Sequence, residues 1–202
     1  MVRHYATQEY ENLARDQGYS LIAGIDEVGR GALAGPVSIG VVVLPEDFSE
    51  PVVDSKLLSA SQREEKAFFI RQAALVCEVV HVESGYIDAY GIVEALREAA
   101  RRAWAVVDPV PDIILLDGRH NYIDLDIPVR TIVRGDQVSA SIAAASLVAK
   151  VARDELMHEQ ALVYPEYGFE THVGYGVPRH LTALKRHGPI ALHRESFITR
   201  LL

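Results

Sequence analysis

The sequence predicts an α/β domain organised around one mixed β-sheet. Three observations predict it: short apolar runs that read as a strand meander, two stretches of helical period, and then two more short strands followed by a long alanine-rich helix.

"SLIAGID" (20–26) and "GPVSIGVVVL" (35–44) are strand-length apolar runs separated by a glycine-rich turn, and "CEVVHVES" (77–84) alternates enough to be a third strand. "SASQREEKAFFIRQAALV" opens with a serine-rich cap and continues at helical spacing. "GIVEALREAARRAWAVV" is a stronger helix, rich in alanine, leucine, glutamate and arginine. "DIILLDG" and "VRTIVRGD" are short strands that each end in a glycine beside an aspartate. "SASIAAASLVAKVARDELMHEQALV" is a long helix whose small residues allow close approach to a sheet, and "VPRHLTALKRHG" has proline near its start and glycine past its end, as a short helix should. The irregular "YPEYGFETHVGYGVP" separates the sheet domain from a small C-terminal helical segment, so the expected division is 1–165 and 166–202 within one compact unit.

At 202 residues and 49% hydrophobic content the chain can bury a substantial core and is not a disordered one. Its one cysteine, Cys77, forms no internal disulfide, which suits a reducing compartment, and the cytoplasm is the expected location. The first residues lack the apolar core of a signal peptide, and runs such as "SIGVVVL" are too short to span a bilayer. The formal charge of −8 is unevenly spread: the final 32 residues carry +4 and the first 170 carry −12. A basic segment on an acidic body can hold a polyanion to one face, and it can equally be a solvated helix.

Three predicted strands, 20–26, 112–116 and 129–134, finish at or near acids: Asp26 with Glu27, Asp117, and Asp136. Beyond strand ends is where open α/β sheets gather ligands. Two like charges about 4 Å apart repel by on the order of 4 kcal/mol at an effective dielectric of ~20. Cations relieve such a cluster, and hard carboxylate oxygens select magnesium or manganese, two of which, roughly 3.5–4 Å apart, serve phosphodiester hydrolysis. Taken singly, "LLDG" and "RGD" are as readily turns. Neighbouring strand residues also face opposite ways, so Asp26 and Glu27 share one metal only if the strand ends or bulges there.

"GIDEVGRGALAGPV", "DSK" at 54–56, "LLDG", "VRGDQVSASIAAASLVAKVARDELM" and "YPEYGFETHVGYG", in this order, resemble the bacterial type 2 ribonucleases H from about residue 20 to the end. The resemblance implies a ribonuclease H-like fold, a mixed five-stranded sheet flanked by helices with a small helical C-terminal segment that helps bind substrate. It implies a Mg2+- or Mn2+-dependent endonuclease that cuts the RNA strand of RNA–DNA hybrids. It also implies nicking on the 5′ side of single ribonucleotides in duplex DNA, leaving 3′-hydroxyl and 5′-phosphate ends, as in ribonucleotide excision repair. The family's catalytic, metal-binding carboxylates fall on Asp26, Glu27, Asp117 and Asp136, the four reached from strand ends. The loop that contacts the 2′-hydroxyl falls on Gly29, Arg30 and Gly31, and the tyrosine that packs on the following deoxyribose falls on Tyr175, with Tyr167 read as packing. Lys56, Ser146 and Lys150 match positions near the substrate backbone, although Lys150 can equally be a structural partner for an acid, and Arg153 with Asp154 reads as a buried or helix-surface ion pair outside the catalysis.

Many relatives carry lysine where Leu57 and Val173 stand and proline where Ala32 stands. Fewer cations along the substrate path lower affinity and flatten its salt dependence. The partners expected are RNA–DNA hybrid and ribonucleotide-containing duplex DNA, with no membrane, and the protein is expected to be a monomer. The chain has no G-x-x-x-x-G-K-[ST] and no H-E-x-x-H, which argues against a phosphate-loop switch and zinc hydrolysis. A non-catalytic hybrid binder on the same fold is the competing reading. His172, His180, His187 and His193 are expected to face substrate or solvent.

Overall fold

The computed structural model describes residues 5–53, 58–199 and 201; Lys56 and Leu57 lie outside the described residues. Five strands, β2 (Ile22–Val28), β3 (Val37–Val43), β5 (Val76–Val82), β6 (Ile113–Asp117) and β7 (Val129–Ile132), form one sheet in the order β5-β3-β2-β6-β7. The β5, β3 and β2 strands run antiparallel, as the predicted meander requires, whereas β6 and β7 join parallel to β2.

β3 is buried at every position, so its unbroken apolar run reflects cover on both faces. On one face lies α4 (Ile92–Trp104), whose Ala95, Leu96, Ala99, Ala100 and Ala103 pack against Ala23, Ile25, Ile39 and Val41. Its outer side is laced by Glu94, Glu98, Arg101 and Arg102. On the other face lies α5 (Ala140–Val163), backed by α2 (Ala60–Ala73). The approach of α5 to the sheet is so close that a Cβ on Gly24 would stand 2.1 Å from the Ser141 carbonyl carbon, and one on Gly40 would stand 2.3 Å from the Ala145 oxygen. The small residues of α5 and these two glycines meet backbone to backbone.

The described chain also contains elements the sequence reading left unassigned: α1 (Glu9–Arg15), α3 (Ser84–Tyr90) and a two-residue ladder between β1 (Tyr5–Ala6) and β4 (Val52–Val53). α1 is held by Glu11. Its carboxylate is 1% exposed and accepts from the Ser139 hydroxyl at 2.6 Å and the Ser141 amide at 2.9 Å, at the N-terminus of α5. A buried anion there meets the orphan amides and the positive end of the helix dipole. Glu11→Ala is therefore expected to lower stability by about 2 kcal/mol, read from urea unfolding; a loss below about 0.5 kcal/mol would contradict this.

The C-terminal elements α6 (Phe169–His172), α7 (Pro178–His187) and α8 (Glu195–Ile198) close over a core of Tyr167, Phe169, Leu184 and Ile198 that also takes in Leu33 and Ala34. Tyr167 is 1% exposed and donates to the Gly188 carbonyl, so it packs as predicted. The histidines do not follow prediction. His172, His180 and His193 are buried, His172 stacks on His180 with ring centres 4.5 Å apart, and the Nε2 atoms of His180 and His193 stand 3.1 Å apart. Burial holds all three below the usual histidine range, His193 down to about 4. They are neutral core groups bonded to backbone and to each other; among the four, His187 is the exposed one.

Candidate active site

The first two acids sit inside a strand and not at its end. β2 continues two residues past Asp26 to Val28, with Glu27 opposite Ile39 and Val28 opposite Ser38 on β3. On its other side, β2 pairs with β6 only as far as Ile25 opposite Leu116, so Asp26 and Asp117 are the next residues past that ladder. No bulge intervenes, and the two acids of β2 therefore diverge. Asp26 shares the face of Gly24 and bonds the Ser146 hydroxyl of α5. Glu27 takes the opposite face, where its carboxylate meets Arg30 Nη1 at 2.9 Å and the Tyr122 hydroxyl at 3.4 Å.

β7 stops at Ile132, two residues short of its predicted end, because Arg134 adopts left-handed backbone at φ 57°. That turn delivers Asp136 on a single 3-10 turn leading into α5. Asp117, the last residue of β6, accepts from the Gly135 amide at 2.6 Å, which ties the two carboxylate-bearing turns together.

One cavity of about 480 Å³ is lined by Asp26, Glu27, Asp117, Asp136, Gly29, Arg30, Gly31, Ser146, Lys150 and Tyr175. Every site residue expected from the sequence is thus brought together except Lys56, which lies outside the described residues. A larger apolar groove between Phe48, Phe68 and Phe69 is lined by none of them.

Electrostatics mark this cavity out. Asp26 is 7% exposed, and burial, reinforced by Asp117 and Glu27, pushes its carboxyl up to about 8 despite the Ser146 hydrogen bond. Burial likewise raises Asp117, with Asp136 adding to it and the Gly135 amide opposing it. Among the described residues, no three carboxylates or imidazoles form a ready-made cation site. The donor set nonetheless fits a hard divalent ion: four carboxylates at one rim, with a buried one left uncompensated. A cation there would offset the desolvation, and the lesser repulsion from Asp117 and Glu27, that raise the Asp26 carboxyl.

The expected Arg153–Asp154 pair does not form. Residues adjacent on a helix do not face one another, and Asp154 pairs instead with Lys150 one turn back, at 2.7 Å. Arg153 is fully buried on backbone carbonyls. Val173 is 8% exposed and left-handed at φ 43°. Sequence reading missed Tyr122, whose buried ring closes the Glu27 side, and Arg194, which bonds the carbonyls of Arg30 and Gly35. For Arg153 the signal was its place seven residues after Ser146, on the same helical face; for Arg194 and Tyr122 no local signal exists.

The family model for ribonuclease HII matches residues 23–200. A ribonuclease HII of Leuconostoc mesenteroides is 47% identical over 182 residues, covering 90% of this chain and 71% of the relative. One of Geotalea uraniireducens is 45% identical over 190 residues, covering 94% and 88%. Among solved structures, the ribonuclease H2 from Pyrococcus horikoshii OT3 superposes with a TM-score of 0.77 at 25% identity, over 90% of this chain and 97% of that one.

Proposed function

The chain belongs to the ribonuclease HII family, metal-dependent hydrolases of RNA–DNA hybrids, and from that premise we propose that it also nicks duplex DNA on the 5′ side of a single embedded ribonucleotide, leaving 3′-hydroxyl and 5′-phosphate ends. The observation that carries this reading is the shared cavity: the four carboxylates, the Gly29–Gly31 loop and Tyr175 line the same wall-to-wall space. Cleavage chemistry and a means of sensing one ribose therefore sit within one substrate's reach.

In this reading Asp26, Glu27, Asp117 and Asp136 hold Mg2+ or Mn2+. An ion held there would supply Lewis-acid activation of water and charge neutralisation at the leaving oxygen. The chain's own residues do the rest. Gly29 and Gly31 let backbone groups approach the 2′-hydroxyl, the feature that separates RNA from DNA. Tyr175, half-buried between Gly174 and Gly176, offers its ring to the next sugar, where a 2′-hydroxyl would collide. Lys150, paired with Asp154, offers a point charge to the scissile strand, and Lys56, outside the described residues, is the second lysine this reading assigns to phosphate. Residues 166–202 act as the substrate-binding segment, bringing Tyr175 and the basic turn Lys185–His187 to the duplex.

The test is an end-labelled duplex with one ribonucleotide, incubated with Mg2+, Mn2+ or chelator beside an all-DNA duplex and a long RNA–DNA hybrid. The expected result is a metal-dependent nick 5′ of the lone ribonucleotide, none with chelator, and no cut in all-DNA duplex. Cleavage of the long hybrid alone would leave the carboxylate assignment standing and remove the junction reading.

A further inference from the structure

The two parts of the proposed junction reader come from distant stretches of chain, the loop after β2 and the segment after α6. Both rest on one side chain. Arg153, in the middle of α5, is fully buried, and its guanidinium fans onto three backbone carbonyls: Nε donates to Pro36 at 2.9 Å, Nη1 to Val173 at 2.9 Å and Nη2 to Ala34 at 3.1 Å. Two of these lie at the far end of the glycine loop, and the third lies two residues before Tyr175.

The contact with the loop is intimate at its other end as well. A Cβ on Gly29 would stand 2.2 Å from Arg153 Nε and 2.7 Å from its Cδ, so the loop rests directly on the guanidinium stem. The same guanidinium lies 5.4 Å from the centre of the Tyr175 ring. The carbonyl it holds at Val173 belongs to a β-branched residue in left-handed backbone, φ 43°, a conformation that persists only where its surroundings enforce it. That turn is what aims Tyr175 back at the cavity.

We propose that Arg153 is a positioning residue for specificity: it sets the spacing between the Gly29–Gly31 loop and the Tyr175 ring, and thereby the preference for a ribose followed by a deoxyribose over continuous RNA. This rests on the junction reading above. A planar fork with five donors serves three carbonyls lying in different directions, whereas an ammonium on a flexible stem does not. Replacing the fork leaves the carboxylates on β2, β6 and the turn before α5 where they are, and loosens the spacing on which the choice of sugar depends.

The experiment compares kcat/KM for a duplex with one ribonucleotide against kcat/KM for a long RNA–DNA hybrid, in wild type and Arg153→Lys, well below either melting temperature. Arg153→Gln, which drops the buried charge and keeps two N–H donors, is the second variant. Leu96→Ala in α4, on the opposite face of the sheet, is the control for destabilisation alone. The expected result for either arginine variant is a fall of about tenfold or more in the ratio, with kcat on the long hybrid held within about threefold and the ratio unmoved in Leu96→Ala. A ratio unchanged in a folded Arg153 variant, or a parallel fall on both substrates, overturns the proposal. A wild type that cleaves the long hybrid but not the lone ribonucleotide overturns the junction reading beneath it instead, so the two failures are told apart by the wild-type lane.

Discussion

Asp26→Asn is expected to lower hydrolysis by on the order of 10³-fold while making the metal-free protein more stable. Both halves follow from one carboxylate. It contributes ligand charge, and it stands buried beside Asp117 and Glu27 with its carboxyl pushed up to about 8 from an ordinary 3.8. As pH rises from about 4, the unfolded chain gives up this proton while the folded protein retains it until about 8, so the wild type loses stability across that window and no further above it. The asparagine variant does not. At pH 8 in chelator it should be more stable by a few kcal/mol, with the full shift as the upper bound, seen as a melting temperature several degrees higher, and the gap should close near pH 4. Saturating Mg2+ should shrink the gap at pH 8, since the ion binds the folded wild type preferentially. A variant that melts at or below the wild type at every pH would show that the site carries no such electrostatic load.

The second large effect is structural. Arg194 is fully buried and donates through Nε and Nη2 to the Gly35 carbonyl, at 3.0 and 2.9 Å, and through Nη1 to the Arg30 carbonyl at 3.0 Å. Burial and the neighbouring Arg153 push its pKa down to about 10, so it remains charged at neutral pH. Arg194→Met keeps the stem and the contact with the Phe197 ring but leaves two carbonyls without donors. The Gly35 carbonyl is buried and the Arg30 carbonyl only partly so, and at about 1–3 kcal/mol for a buried group left unpaired the expected loss is roughly 2–3 kcal/mol in urea unfolding. Arg194→Lys should fall between, because it retains charge and loses the fork. A loss under about 1 kcal/mol in Arg194→Met would mean the loop finds other donors.

That the four acids share one cavity was legible because the cue is local: Asp117 and Asp136 each adjoin a glycine just past an apolar run, and Asp26 and Glu27 close another such run, although β2 continues beyond them to Val28. The sheet and the two long helices were legible for the same reason, since periodicities of two and 3.6 are written over neighbouring residues. What escaped depends on partners far along the chain. α1 is a seven-residue polar stretch that would not be stable alone, and it exists because Glu11 meets Ser139 and Ser141 about 130 residues later. The histidines looked solvated because counting charge presumes exposure, whereas Phe169 and Tyr167 wall three of them in. The Arg153–Asp154 reading failed on a rule available beforehand, that helical neighbours one apart point in different directions. The exact ends of β2 and β7 shifted because pairing with β3 extends one and a left-handed Arg134 cuts the other short.

The face of α5 that looks toward the cavity carries Ser146, Lys150, Arg153 and Met157, at steps of four, three and four residues. Each meets a different client: Asp26, the cavity wall, the glycine loop with Val173, and the C-terminal core. Gly24 and Gly40 lock the start of the helix to the sheet, so it has no freedom to rotate in compensation. One inserted or deleted residue between 146 and 153 would swing everything downstream by about 100° around the helix axis. All the later clients would be lost together, whereas changes of length in the exposed turns cost one contact at a time. The helix thus acts as a ruler, and the spacing of its marks is as much a part of the site as the side chains that bear them.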